Sequence, residues 1–440
     1  MQVHTSHKVE KVIVTGFLLV ILVGALLLWF SNNFIYGMPL SVTDSMFLST
    51  SAVCVTGLST VSVATEMGRV SQIILLMLIQ IGGLGFMTGM MLMTLAIGKR
   101  IGIKSRIFFL GGLGVEGLQG AVKLMMTVIK YTLFFESAGA LLLFAGFVLH
   151  GESLSTSVYY AIFHSVSAFC NAGFSPIVNG LQPFAHSIIV PAVIMTLIVL
   201  GGLGFPVFAE CWSNITKGKR LSHYAQLVIS ITASLIILGT GMILISDWND
   251  AFRGMPVWAK IWNALFASIT TRTAGFDTVA PGSFSSLGQV IMIFLMVIGA
   301  SPASTGGGIK TTTIAVLAIS VWNELHGREE STFMHRKIAS ASERRALALT
   351  VVYVLTFFYA AVLLTFLEDM PFSAIIFETA SAIGTVGLTV GITEDFSIPG
   401  KFVLIALMFW GRVGILSFFA SILSSEKGPQ VKYPETHIPI

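Results

Sequence analysis

The most informative shortage in this sequence is charge. Asp, Glu, Lys and Arg make up only 10% of its 440 residues, whereas an ordinary soluble domain carries about 25%. Hydrophobic residues make up 55%. A water-soluble fold of this length could not hide that much apolar surface, but a lipid bilayer can accommodate it because its core is itself apolar. The composition therefore excludes a soluble globular protein and indicates a polytopic protein of the cell membrane.

Cysteines and catalytic motifs are also scarce. Cys54, Cys170 and Cys211 lack zinc-ligand spacing and form no disulfide framework, so we interpret them as small apolar residues. No H-E-x-x-H or G-x-S-x-G motif occurs. Two segments that resemble phosphate loops, 112–117 and 306–311, lack the preceding strand or the Gly-Lys pair. The sequence predicts no enzyme, no bound cofactor and no nucleic-acid partner.

Long apolar runs are what the sequence has instead. We expect eight segments to cross roughly 30 Å of hydrocarbon at about 1.5 Å per residue. They lie near 11–30, 71–97, 124–149, 187–211, 223–246, 286–322, 346–367 and 399–424. The first has no A-x-A-like cleavage site after it, so we expect it to be retained.

A shorter apolar stretch lies between the two members of each successive pair. These stretches are near 42–53, 157–170, 259–271 and 372–383. At about a dozen residues none can span, and such lengths are typical of re-entrant half-helices, which are tolerated when buried in protein.

The predicted order is therefore span, half-helix, loop, span, in four units. We place the units at 1–98, 99–215, 216–330 and 331–440. Each holds two spans and begins on the same side, so the units are parallel, which argues against inverted-repeat transporter folds. The predicted fold class is an all-α membrane protein with four parallel units around one pseudo-fourfold pore, built from eight transmembrane helices and four re-entrant half-helices.

Lys and Arg residues predict the orientation. They concentrate at both termini and in the segments between units, whereas the opposite side holds only Arg69, Arg253, Lys260 and Lys401. Because positive loops stay inside, we expect both termini to be cytoplasmic and the half-helices to enter from outside. The outer loops are acidic, which concentrates cations, although ordinary solvated charges explain any one of these residues equally well.

The four half-helices end in a shared glycine signature. They read FLSTSAVCVTGL (47–58), FHSVSAFCNAGF (163–174), LFASITTRTAGF (265–276) and FETASAIGTVGL (377–388). The glycine is Gly57, Gly173, Gly275 or Gly387, and Leu or Phe follows each. A second marker comes later in each unit, at 81–86, 200–205, 298–303 and 410–415. Two markers in fixed order, four times, indicate internal repetition.

Glycine suits a cation pore for a conformational reason. A K⁺ ion that sheds water must meet oxygens at similar distances, and rings of backbone carbonyls supply them. Aiming successive carbonyls at one axis needs backbone angles that glycine adopts without a Cβ clash. The half-helices would also present their partly negative C-terminal ends to the ion. The alternative for any single glycine is close helix packing.

These segments resemble the four P-loops of the Trk/Ktr/HKT superfamily of K⁺ transporters. GASPASTGGGIKTTT (299–313) and FWGRVG (409–414) resemble two further marks of that family, and the chain length is most similar to the bacterial Ktr membrane subunit. The resemblance covers roughly 11–440. It implies filter loops at 53–57, 169–173, 271–275 and 383–387. It also implies ion-facing carbonyls just before the four glycines, on Val55, Thr56, Asn171, Ala172, Thr273, Ala274, Thr385 and Val386.

The resemblance also implies function and partners. A serine at the first filter glycine goes with Na⁺ transport in plant relatives, so Gly57 favours K⁺. We expect the ion-translocating subunit of a K⁺ uptake system, working as a homodimer with a cytosolic ring of nucleotide-binding RCK-type regulatory subunits. The alternatives are a Na⁺-coupled or Na⁺-permeable cation transporter and, from another class, a membrane enzyme or scaffold, for which His164 is the best candidate residue.

The sixth span carries a candidate gate. It is too long for one straight crossing, and Pro302 with three glycines disfavours helix in its middle. We predict a broken helix over 299–310, with a kink and tight packing as the alternative. In the resembled family this loop is the gate, which here is formed by Ser304, Thr305, Gly306, Gly307, Gly308 and Lys310.

Two arginines lie in unusual places. Arg412 is near the middle of the last span, where insertion costs about 2.5–3.5 kcal/mol. We expect it to face the pore and hold the gate loop, the alternative being a carboxylate partner on another helix. Arg272 lies beside the third filter loop, and we expect it to point behind the filter toward a carboxylate such as Asp277 or Glu378.

Overall fold

The protein is described by a computed structural model over residues 2–85, 121–328, 330–334 and 336–414. The described chain is predominantly helical, with one short β-hairpin of Thr332–Phe333 (β1) and Arg336–Lys337 (β2). The helices, in chain order, are α1 (Gln2–Phe30), α2 (Val42–Val53), α3 (Arg69–Leu84), α4 (Ala121–Leu149), α5 (Leu154–Phe169), α6 (Ile189–Gly202), α7 (Phe205–Lys217), α8 (His223–Ser246), α9 (Val257–Thr270), α10 (Ser286–Val297), α11 (Thr311–Leu325), α12 (Ser340–Leu367), α13 (Phe372–Gly384) and α14 (Ile398–Val413).

Local sequence explains where the short helices begin. A serine hydroxyl caps the first turn of α2, α5 and α10, and the same cap begins α8 and α14. Pro256 and Pro371 stand immediately before α9 and α13. The N–H groups of the first turn have no partner within the helix, and the serine oxygens accept from them. Proline has no N–H group, so it is tolerated at the start of a helix but not in its interior. The starts of these helices are therefore encoded locally.

Four described helices are long and apolar enough to cross a membrane, in segments Lys11–Ile35, Met125–Leu149, His223–Ser246 and Ser340–Leu367. Each is followed by one of the short helices α2, α5, α9 and α13. Of the eight predicted spans, these four are continuous helices, whereas the second helices of the four units are shorter or broken, as was predicted for the sixth span.

The predicted span over 187–211 is sharply bent in the structure. Helix α6 ends at Gly202 and α7 begins at Phe205, with an angle of 106° between them. Gly204 between them has φ +92°, an angle that residues with a Cβ rarely adopt. Pro206 then lacks the N–H that would continue the helix hydrogen bonds. The apolar composition of this segment concealed the turn.

Similar interruptions occur in the other second helices. Helix α3 ends before Gly85 and α14 ends before Gly414, with φ +81° and +91° at these glycines. The sixth predicted span is divided into α10 and α11, and residues 298–310 between them are non-helical. The predicted continuations of two spans, over 86–97 and 415–424, lie outside the described residues.

The short helices and second helices pack in a closed order. Within each unit the first helix contacts the short helix, and the short helix contacts the second helix. Between units, α3 packs against α5, α6 against α9, α10 against α13, and α14 back against α2. The fourth unit therefore contacts the first, and the four short helices surround one centre.

Polar side chains cap the N-terminal starts of three second helices. Asn32 Oδ1 accepts from the Gly68 N–H at the start of α3 (3.0 Å). Asp247 Oδ1 accepts from the Ser285 N–H before α10 (2.6 Å), and Glu368 accepts from the Ser397 N–H before α14 (3.2 Å). In these three units a residue at the end of the first helix thus caps the second helix.

Candidate functional site

The four predicted filter loops share an unusual backbone. Val55, Asn171, Thr273 and Thr385 have φ of 57°, 61°, 74° and 51°, and the signature glycines two residues later have φ of 101°, 70°, 76° and 91°. Left-handed residues other than glycine are uncommon and cost energy. Four loops with left-handed residues at alternate positions indicate that each is held in one specified conformation.

Hydroxyl groups on the short helices hold these loops. Ser51 Oγ and Ser381 Oγ accept from the N–H groups of Gly57 and Gly387, each at 3.0 Å. Ser167 Oγ donates to the Phe174 carbonyl (2.9 Å). The other three units carry a Ser-Ala pair six and five residues before the glycine, and the third unit does not. There Thr270 Oγ1 donates to the Phe276 carbonyl (2.6 Å). The hydroxyls thus tie the short helices to the loops at or just after the glycines.

The structure brings the four glycines together in a ring. A Cβ placed on Gly57 would lie 2.5 Å from the Ala172 carbonyl oxygen, and one on Gly173 would lie 2.7 Å from that of Ala274. A Cβ on Gly275 would lie 2.5 Å from the Val386 carbonyl oxygen. Each would also approach the next glycine.

The ring is closed by the fourth loop, because a Cβ on Gly387 would collide with the Thr56 carbonyl oxygen and would meet the Gly57 Cα at 2.9 Å. All four glycines therefore fit only without a side chain, and the carbonyl preceding each glycine borders its neighbour. Thr56 Oγ1 is buried and has no hydrogen-bond partner within the described residues.

The non-helical segment 298–310 lies against the same loops. The Gly307 N–H donates to Thr385 Oγ1 (3.1 Å), and Thr305 Oγ1 donates to the Phe169 carbonyl (3.2 Å). A Cβ on Gly306 would collide with Thr273 Oγ1. The segment therefore contacts the second, third and fourth filter loops.

Polar groups inside the segment satisfy its freed backbone. Ser304 Oγ donates to the Ser301 carbonyl (2.6 Å), and Thr311 Oγ1 bonds Ser301 Oγ (3.0 Å). Lys310 Nζ donates to the Gly306 carbonyl (2.8 Å). The Gly299 N–H donates to the Ile309 carbonyl (2.9 Å), which closes the segment at its base.

Arg412 clamps the segment to a neighbouring helix. Its guanidinium donates to the carbonyls of Thr305 and Gly82, and at 3.4 Å to that of Gly83. Gly82 and Gly83 are in the last turn of α3, whose free carbonyls attract a cation. These partners are backbone oxygens, whereas the alternative expectation was a carboxylate on another helix.

Arg272 does not contact the carboxylates expected as its partners. The side chain is 7% exposed and forms no ion pair with Asp277 or Glu378, and its Nε has no partner in the part of the chain that the structure describes. The carboxylates are bonded elsewhere: Asp277 accepts from Gln182 Nε2 (2.5 Å), and Glu378 accepts from Thr389, Val390 and Thr393. The two carboxylates therefore bind neutral donors and not the guanidinium of Arg272.

The loops that follow the filter glycines carry acidic side chains. We call segments 58–68, 174–188, 276–285 and 388–397 the return loops. Burial, together with the nearby charges of Glu66 and Asp395, raises the pKa of Glu394. Asp44 pairs with Lys401 at 2.9 Å. Negative charge from two return loops thus collects on one side of the ring.

The remaining polar candidate, His164, is bonded on both ring nitrogens. They contact the Tyr160 carbonyl (2.8 Å) and Ser175 Oγ (2.9 Å), and the ring is fully buried. One of its nitrogens is bonded to a backbone carbonyl, and no carboxylate among the described residues contacts the ring. The arrangement gives no support to the membrane-enzyme alternative.

Comparisons with known proteins match this architecture over nearly the whole chain. The model of the TrkH family, described as cation transport protein, matches residues 2–433. The Potassium/sodium uptake protein NtpJ of Enterococcus hirae is 35% identical over 97% of this chain and 96% of its own length. The Ktr system potassium uptake protein B of Bacillus subtilis is 34% identical over the same shares of the two chains.

A solved structure matches the fold. The crystal structure of the potassium transporter TrkH from Vibrio parahaemolyticus superposes with a TM-score of 0.71 and covers 93% of this chain and 84% of that one. The two sequences are 21% identical, so this match speaks for the fold alone. It agrees with a predominantly helical membrane protein.

Proposed function

The chain belongs to the TrkH family of cation transport proteins, and from this premise we propose that it is the ion-translocating subunit of a K⁺ uptake system. It is a transport protein and not an enzyme. It lies in the cell membrane as a multi-pass protein, with K⁺ as the transported ion. The relatives named above are both described as potassium uptake proteins.

The observation that carries this proposal is the closed ring of filter loops. Four chemically similar loops, each ending a short buried helix, meet at Gly57, Gly173, Gly275 and Gly387. Their carbonyls supply oxygen ligands of the kind that replace the hydration shell of K⁺. Four parallel units around one pseudo-fourfold pore would place such oxygens on a common axis. The ion-facing carbonyls in this proposal are those of the two residues that precede each glycine in the four loops 53–57, 169–173, 271–275 and 383–387.

The segment 298–310 forms the gate in this proposal. It lies against three filter loops and is held by Arg412 and Lys310. Its small residues can move with little steric cost, and helix α11 below it leads into the charged segment 324–345. A cytosolic partner that moves α11 would therefore displace the segment.

Orientation and partners follow the charge pattern and the family. The basic segments between units support a cytoplasmic position for both termini, and the acidic return loops would then form an outer vestibule that concentrates cations. The basic cytoplasmic loops offer a docking surface for an RCK-type nucleotide-binding ring, and the chain would function as a homodimer. The polar tail 425–440 lies outside the described residues.

Growth of a K⁺-uptake-deficient bacterium at low K⁺ tests the function directly. Cells that carry the wild-type gene, together with a cognate regulatory subunit, are expected to grow at K⁺ concentrations that do not support the parent strain. Failure to restore growth, with the protein present in the membrane, would contradict K⁺ uptake.

A Na⁺-coupled or Na⁺-permeable transporter is the second candidate, and the name of the Enterococcus relative, which includes sodium, favours keeping it. Replacing external Na⁺ by choline in the same cells separates the two. K⁺ uptake that persists without Na⁺ supports the first proposal, and uptake that requires Na⁺ supports the second.

Arg412→Gln is expected to raise leak without changing ion preference. Hydrogen bonds from a charged donor contribute about 1.5–3 kcal/mol each, so losing them should increase flux through the resting protein roughly tenfold or more. Flux of K⁺ and Na⁺ into liposomes containing the purified chain measures both quantities. Arg253→Gln, on an exposed loop arginine, is the control. If the Arg412 variant is absent from the membrane fraction, Arg412 is structural and the proposed clamp is wrong.

A further inference from the structure

Two opposite short helices carry a polar side chain at the same position. His164 and Glu378 are each the ninth residue before the filter glycine of their unit, and Leu48 and Phe266 occupy this position in the other two units. All four side chains are at most 1% exposed. Two units therefore bury a polar group where the other two bury a hydrocarbon.

Both polar groups bind the return loop of their own unit at one equivalent residue. His164 Nε2 contacts Ser175 Oγ at 2.9 Å, and Glu378 Oε1 accepts from Thr389 Oγ1 at 2.5 Å. Ser175 and Thr389 are each the second residue after the filter glycine. The same connection, from short helix to return loop, thus occurs twice with different chemistry.

The Glu378 connection is the more extensive. Its carboxylate also accepts from the Val390 N–H (3.1 Å) and from Thr393 Oγ1 (2.9 Å). The hydroxyl oxygens of Thr389 and Thr393 lie 2.9 Å apart. One carboxylate therefore fixes the first turn of the fourth return loop, which begins immediately after Gly387.

The other two units lack this connection. Ser59 Oγ donates to the carbonyl of Val61, within its own loop. Asp277 accepts from Gln182, which is on the return loop of the second unit. In the ring order the second and fourth units face each other, so the connected loops lie on opposite sides of the filter.

We propose that Glu378 and His164 are positioning residues that hold the second and fourth return loops, fix the width of the filter at its outer end, and thereby contribute to the preference for K⁺ over Na⁺. The inference rests on the proposed function. A buried acceptor that loses its donors, or donors that lose their acceptor, carries a desolvation cost that the loop can relieve only by moving. Because the filter glycine precedes each loop directly, that movement changes the carbonyl ring.

The test separates the effect of the hydrogen bonds to the return loop from the effect of the negative charge on Glu378. Glu378→Gln removes the charge and one of the two acceptor oxygens, whereas the double variant Thr389→Val, Thr393→Val removes the donors and leaves the carboxylate. His164→Leu installs the residue that the first unit has at this position. Glu152→Gln is the control, because Glu152 is an exposed carboxylate between α4 and α5, outside the return loops.

Initial rates of K⁺ and Na⁺ flux into liposomes containing the purified full chain give the selectivity ratio. We expect that ratio to fall roughly three- to tenfold in Glu378→Gln and in the double threonine variant, to fall less in His164→Leu, and to be unchanged in Glu152→Gln. A folded double threonine variant with the wild-type ratio would overturn the inference, whatever Glu378→Gln does. Wild-type chain that carries no K⁺ would instead overturn the proposed function, and the inference with it.

Discussion

Gly57→Ser is expected to reduce the preference for K⁺ over Na⁺ by roughly tenfold or more. The backbone at Gly57 has φ +101°, a region that costs residues with a side chain about 1–3 kcal/mol. A Cβ there would also lie 2.5 Å from the Ala172 carbonyl oxygen. That oxygen belongs to the next filter loop, so the strain cannot be relieved without displacing a proposed ion ligand.

A control isolates the filter from backbone strain in general. Gly151 has a similar φ of +89°, but a Cβ placed on it meets nothing within 4 Å. Gly151→Ser should therefore destabilise the protein slightly and leave selectivity unchanged. The measurement is the ratio of K⁺ to Na⁺ uptake rates in cells that lack their own K⁺ uptake systems. Unchanged K⁺ and Na⁺ affinities in Gly57→Ser would count decisively against the filter assignment.

Deletion of Gly306–Gly308 is expected to raise K⁺ flux severalfold in the absence of any regulatory subunit. The deletion removes the Gly306 carbonyl that accepts from Lys310 and the Gly307 N–H that donates to Thr385. It also shortens the connection that places Thr305 under the guanidinium of Arg412. The segment then loses its contacts with the third and fourth filter loops and no longer covers the passage.

Selectivity serves as the internal control for that deletion. The carbonyl ring is formed by other residues, so the ratio of K⁺ to Na⁺ flux should survive while the total flux rises, and any nucleotide response should weaken. Ion flux into liposomes with the purified chain alone, wild type against deletion, gives both values. A folded deletion protein that conducts no more than wild type would refute the gate and leave the filter standing.

Local sequence predicted the short helices well. The stretches expected near 42–53 and 372–383 coincide with Val42–Val53 and Phe372–Gly384 at all but one end residue. Serine or proline before each start specifies where these helices begin without help from tertiary contacts. The signature glycines were predicted for the same reason, since a left-handed angle selects glycine directly.

Tertiary interactions account for what the sequence did not predict. The turn at Gly204 lies within an apolar run. Hydropathy indicates which residues are buried but does not indicate where the helix axis changes direction, so the turn was not predicted. The left-handed angles of Val55, Asn171, Thr273 and Thr385 contradict the preferences of those residue types, and they arise where the loop is bonded at both ends.

The buried polar side chains were the least predictable. Arg272 was assigned a carboxylate partner because opposite charges attract, yet Asp277 and Glu378 are bonded to neutral donors. The signal for the role of Glu378 was present in the alignment of the four half-helices, where it shares a position with His164. Where aligned repeats have an apolar residue in two units and a polar one in the other two, the polar residues are candidates for such a role.

The reversal potential of current through the purified chain tests the central claim most directly. With K⁺ on one side of a planar bilayer and an equal concentration of Na⁺ on the other, the wild-type chain and its Gly306–Gly308 deletion should both reverse at a potential far from zero, with the K⁺ side negative. A reversal potential near zero, or the absence of chain-dependent current in both proteins, would contradict a K⁺-selective passage formed by the four glycine loops.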